Sequence, residues 1–169
     1  MAVERYNMAM AASLNPYLDS LAQKGEEVSS TGAGRHVNIL EGDLVHPSHT
    51  DGFVDKGDPV SFGIGWAGQG VGIALMTASA DTDVIPVDTE GIWRCEVVAQ
   101  WDMIIGQLVF ISSTGVLVDW PADEDTHIFG YTLQPLLAGT GTIAVKVHWM
   151  DTGVWWWWFW FWEYGQSKY

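Results

Sequence analysis

A chain of 169 residues that is 48% hydrophobic carries enough apolar surface for one core of ordinary domain size, with appendages. Its 21 Asp and Glu against 7 Lys and Arg leave a formal net charge of -14 with no cluster of basic residues, which excludes direct binding to nucleic acid through phosphate neutralisation. Cys95 is the single cysteine, so an intrachain disulfide is excluded, and MAVERYNMAMAASLNP at the N-terminus lacks the apolar run of about 7–15 residues that a secretory signal needs. Synthesis in a cytosol is expected.

Residues 1–14 have no strong period. Asn15 and Pro16 ahead of YLDSLAQK, with Lys24 in the last turn and Gly25 after it, have the punctuation of a short helix whose apolar stripe is Leu18, Leu21 and Ala22. A helix of about nine residues does not hold alone in water, so it is expected to dock through Tyr17, Leu18 and Leu21. Residues 26–34, EEVSSTGAG, read as a linker, and residues 1–34 as an N-terminal arm outside the main core.

Residues 37–40 and 44–45 read as short strands around the turn Glu41-Gly42-Asp43. The HPSHTDG that follows brings together His46, His49 and Asp51, residue types that bind metals. Two histidines three apart, without a third imidazole or a cysteine nearby, fall short of a closed zinc set. A solvated loop is expected, with no metal or cofactor assigned and little stability resting on either histidine.

Residues 57–75, GDPVSFGIGWAGQGVGIAL, contain a literal GxGxxG at Gly63, Gly65 and Gly68. A dinucleotide site needs a helix to start at the third glycine, whereas here Gly70 and Gly72 follow, so glycines in or beside strands are expected instead. Asp81-Thr82-Asp83 and Asp123-Glu124-Asp125 lack the central Gly and terminal Glu of a calcium loop and read as solvated turns.

The stretch 84–99, VIPVDTEGIWRCEVVA, reads as two strands folded on each other across Asp88-Thr89-Glu90-Gly91. In the second, Trp93, Cys95, Val97 and Ala99 share one face and Ile92, Arg94, Glu96 and Val98 the other, so Cys95 is expected as a small buried hydrophobe. Residues 108–111 and 116–118 form a further hairpin across Ser112-Ser113-Thr114-Gly115, and residues 128–133 another strand. In residues 142–150, Ile143, Val145, Val147 and Trp149 alternate with Ala144, Lys146 and His148, which puts His148 at the surface. No helical period of useful length occurs between 57 and 150. The fold class is therefore all-β, a small β-barrel or sandwich-like module over residues 35–150 with extended N- and C-terminal arms.

Residues 151–169 form a C-terminal tail whose WWWWFWFW places eight aromatic side chains in a row: Trp155, Trp156, Trp157, Trp158, Phe159, Trp160, Phe161 and Trp162. The nine apolar residues from Val154 are too few for a membrane helix, which takes about 20, and the flanking Asp151 and Glu163 offer no attraction to anionic lipid. An extended chain puts rings on both faces, so burial against a neighbouring subunit or another protein is expected ahead of an internal core strand.

GDPVSFG, the VGIAL after it, TEGIWRCEVVA, IGQLVFIS with its turn GVLVD, and IFGYTLQPLLAGTGTIAVKVH resemble the small capsid decoration, or cement, proteins of tailed bacteriophages, over residues 55–148. The resemblance implies a non-enzymatic virion structural protein, made in the host cytoplasm and commonly a homotrimer. It implies a place on the outer surface of an icosahedral shell, bound to the major capsid protein and holding adjoining capsomers together. Residues 1–34 and 151–169 have no counterpart in it. Two other readings compete: a metal-dependent hydrolase using His46, His49 and Asp51, and a phage fibre or host-surface binding module using the Trp-rich end. No nucleophile elbow and no His-Glu-x-x-His supports the hydrolase.

Overall fold

The computed structural model describes residues 24–25, 27–29, 36–63, 70–121 and 126–148, and among them the regular elements are eleven strands and one 3-10 turn, Glu41–Asp43. The strands are β1 (Glu27–Ser29), β2 (His36–Leu40), β3 (Leu44–Val45), β4 (Pro59–Phe62), β5 (Gly70–Ala74), β6 (Val84–Asp88), β7 (Ile92–Ala99), β8 (Leu108–Ile111), β9 (Leu117–Val118), β10 (His127–Thr132) and β11 (Gly139–Val147). The described residues are all-β, as their periodicity predicts.

Alternation in β7 sets up a closed barrel. Trp93, Cys95, Val97 and Ala99 are buried as expected, and Glu96 and Val98 are exposed. One edge of β7 pairs along its whole length with β11, from Gly139 opposite Ala99 to Lys146 opposite Ile92. Sheet order then runs through β10, β8 and β9, and β9 returns to β7 by a parallel ladder of two residues, Leu117 on Val97 and Val118 on Val98. Closure needs strong coiling, and β10 supplies it with a bulge at Phe129: Ile128 stands opposite Phe110, and Gly130 opposite Val109. Phe129, Ile111, Leu117, Val97, Val145 and Val147 fill the interior, each worth about 1.5–3 kcal/mol for full burial.

The second sheet is antiparallel, in the order β2-β6-β5-β4-β3, over a core of Leu44, Val54, Val60, Phe62, Ile85 and Val87. β5 is the wall common to both cores. Val71 and Ile73 belong to the barrel core and Ala74 to the other, which is why GVGIA reads as an unbroken apolar run. A Cβ at Gly70 would run into the Phe62 ring, and one at Gly72 into the Asp88 carbonyl. Those two glycines are therefore strand residues, as expected, chosen for close approach; Gly65 and Gly68 lie outside the described residues.

Three sequence readings change. Residues 84–99 are not a hairpin: β6 pairs with β2 and β5 in the second sheet, β7 pairs in the barrel, and residues 88–91 carry the chain between them. The corner is held by the Asp88 carboxylate, which accepts the Glu90 N–H at 3.1 Å, and by the Trp93 indole N–H, which donates to the Glu90 carbonyl at 3.1 Å. Gly91 sits there at φ 103°, where a side chain would be strained. Glycine and acidic residues mark a reversal of direction, not the pairing of the strands it joins. Similarly, β2 and β3 flank Glu41–Asp43 but are not partners; they form opposite edges of the sheet. Finally, Glu27–Ser29 lies inside the stretch read as a linker, yet β1 pairs antiparallel with β7 at Trp93 and Ile92. Ahead of it the Gly25 N–H donates to the Arg94 carbonyl at 2.8 Å, and Arg94 is buried where the alternation predicts exposure.

Cys95 is buried in the barrel, and desolvation pushes its thiol up to about 12. The native protein is expected to leave this thiol unmodified by an excess of a thiol-specific reagent at pH 8, and the denatured protein to consume one equivalent. Rapid labelling of the native protein would show that the barrel opens readily.

Candidate functional site

The tail residues Trp155 to Trp162 and the arm residues Tyr17, Leu18 and Leu21 lie outside the described residues. Within them, two surface features stand out.

The first is an apolar rim at one end of the barrel, where β7 ends and β11 begins. The buried Asp119 carboxylate accepts the N–H groups of Gln100 and Trp101, both at 2.9 Å, and so fixes the chain leaving β7. The next residue, Trp120, meets Trp101 edge to face with ring centroids 5.9 Å apart. Met103 bridges to Leu136, and Asp102 accepts the Ala138 N–H at 2.9 Å, which ties the 101–105 segment to the β10–β11 connection. These anchors present Trp101, Ile104, Ile105, Trp120 and Leu137 at 52 to 71% exposure. Large apolar side chains held outward by buried polar anchors are what a docking surface requires. Period-based reading misses them because they fall between strands; the available signal was bulky apolar residues in turn segments beside Gly106.

The second is a histidine and carboxylate cluster between β3 and β4. The expected solvated loop is instead half-buried, with His46 and His49 at 13% and 22% exposure and their rings stacked 6.1 Å apart. His46 Nε2 lies 3.1 Å from Glu41 Oε1, and its Nδ1 lies 2.9 Å from the Pro47 carbonyl. His49 Nε2 lies 2.5 Å from Asp58 Oδ2, and its Nδ1 faces Asp55 Oδ2 at 3.6 Å. Asp51 is not among them: it is exposed, and its carboxylate accepts the Phe53 N–H at 3.3 Å. The carboxylates that meet the histidines are the buried Glu41 and Asp58, and Lys24 pairs with Asp58 Oδ1 at 3.3 Å. Sequence reading misses both, though an aspartate at the mouth of the buried β4 was a usable signal.

The acidic turn at residues 81–83 is a largely exposed turn, as expected. Asp83 Oδ2 accepts the Ser79 N–H at 2.7 Å, the Ser79 hydroxyl at 3.1 Å and the Ala80 N–H at 3.1 Å, and these bonds, the Ser79 backbone first, lower its pKa. Asp123-Glu124-Asp125 lies outside the described residues. No helix among the described residues is long and apolar enough to cross a membrane.

Fold and surface together define an all-β module with two cores that holds apolar side chains outward at one end. The sequence profile of the phage cement proteins matches residues 39–147, which span both cores and most of the rim's supports, and the chain belongs to that family. Membership gives it a structural role in the phage virion. No curated protein and no solved structure shows significant similarity to the chain.

Proposed function

We propose that this protein binds the outer face of an icosahedral phage capsid as a homotrimer, contacts the major capsid protein, and stabilises the joints between capsomers without catalysing a reaction. The observation that carries this reading is the rim, set on a module of the cement family. Trp101, Ile104, Ile105, Trp120 and Leu137 are each more than half exposed on a chain whose formal net charge is -14. Burial of such side chains at the centre of an interface supplies most of its energy, while the acidic remainder stays solvated and is repelled by packaged DNA. The arms, residues 1–34 and 151–169, serve as contacts to neighbours in this reading.

Capsids lacking the protein test it. Full-length protein is expected to add stoichiometrically and to raise the temperature at which the shells rupture. The Ile104→Asp/Leu137→Asp variant, with the circular dichroism of the parent, is expected to add at least about tenfold more weakly, since each lost apolar contact at an interface centre costs over about 1.4 kcal/mol. No addition by the parent protein would refute capsid binding. Equal addition by the variant would move the docking surface away from the rim.

A further inference from the structure

We infer that His46, His49 and Asp58 bind one divalent first-row transition-metal ion, with Zn2+ as the reference, and that this ion fastens the loop at residues 46–49 to the second sheet. One donor atom from each of His46, His49 and Asp58 lies within 4.8 Å of the others. A tetrahedral ion with bonds of about 2.0–2.2 Å holds its donors about 3.3–3.6 Å apart, so side-chain shifts of about 1 Å close the set. His49 Nε2 and Asp58 Oδ2, now 2.5 Å apart, separate to admit it. The ring centroids, 6.1 Å apart, are within reach of a single ion bound by both imidazoles. Glu41 Oε1, 3.1 Å from His46 Nε2 and held by the Val54 N–H at 3.3 Å, adds negative charge beside the set.

The gap is lined mainly by acceptors. With Nδ1–H donating to the Pro47 carbonyl, His46 turns the lone pair of Nε2 towards Glu41, an acceptor facing an acceptor. His49 is likewise flanked by carboxylates at both nitrogens. Glu41, Asp55 and Asp58 against Lys24 leave two negative charges, which one divalent ion balances. Two imidazole nitrogens beside carboxylates select Zn2+, Co2+ or Ni2+ over Mg2+ and Ca2+.

The loop is built to stay in place. Gly115, at φ 75° in the β8–β9 turn, meets the backbone of His46 and Pro47 so closely that a Cβ there would strike them. The donors come from the loop and from the residue before β4, so the ion ties the β3–β4 connection to the start of β4.

The test uses chelator-treated full-length protein. Calorimetric titration with Zn2+ is expected to show one site per chain, a rise in melting temperature, and no such site for Mg2+. His36→Ala is expected to retain the site. His46→Ala/His49→Ala is expected to weaken it by more than the roughly 10–100-fold typical of losing a group that only supports a ligand. Because that variant removes two half-buried rings, Co2+ is also added to the unmodified protein, where visible absorption that Zn2+ displaces at one equivalent is expected. Equal Zn2+ affinity in parent and double variant, or Co2+ absorption absent from the parent, would overturn the inference.

Discussion

Deleting residues 154–169 is expected to leave a folded β-protein that no longer assembles. The eight aromatic residues from Trp155 carry roughly 150–250 Å² of burial each, which at about 25 cal/mol per Å² is an upper bound of tens of kcal/mol before ordering costs. Both cores among the described residues are filled by other side chains, so this surface is not needed to complete them. Extended, the eight residues span about 26 Å, enough to reach a neighbouring subunit, and rings on alternate faces suit a strand laid on another sheet. Light scattering of the intact protein is expected to give a trimer, and of the truncated protein a monomer with unchanged strand-type circular dichroism. A truncated protein that fails to fold would make the tail a core strand, and one that remains trimeric would assign the tail to a different partner.

Replacing Phe129 with Ala is expected to cost about 3–5 kcal/mol, a large share of the roughly 5–15 kcal/mol that holds a typical domain together. Phe129 is fully buried and is the extra residue of the β10 bulge, and its side chain belongs to the barrel core with Val109 and Val145. Gly130 follows it, and a Cβ there would strike the Lys146 carbonyl, so the bulged strand has no slack to collapse into the cavity. The loss is read from the urea midpoint, with Ile104→Ala on the exposed rim as a control expected to change stability by under about 0.5 kcal/mol. A Phe129→Ala loss under about 1 kcal/mol would mean that the ring is not central to the barrel.

The alternation in β7 and β11 and the β8–β9 hairpin could be read directly, because period-two burial and a Ser-Ser-Thr-Gly turn are local properties of the chain. Partner choice could not. Residues 84–88 and 92–99 are adjacent in sequence and belong to different sheets, since alternation specifies which face is buried but not which strand lies alongside. Gly70 and Gly72 argue against a nucleotide site from sequence alone, but their purpose, room for Phe62 and Asp88, follows only from tertiary packing. His46 and His49 were visible as metal-binding residue types. Their acidic neighbours were not, because Glu41 and Asp58 reach them only once the 3-10 turn and the start of β4 converge.

The pairing of β7 with β11 has a consequence for how the protein comes to be folded. β11 is the last strand among the described residues, and it supplies the long edge of β7 from Ile92 to Ala99. As the chain is synthesised, β7 emerges well before its partner and waits with that edge unpaired, while the β3, β4, β5 and β6 series of neighbours in the second sheet already has what it needs to associate. Barrel closure therefore depends on a late contact between segments distant in sequence, and topologies of this kind fold in about milliseconds to seconds. A chain interrupted before Gly139 would carry an open β7 edge, available for pairing with another chain until β11 arrives.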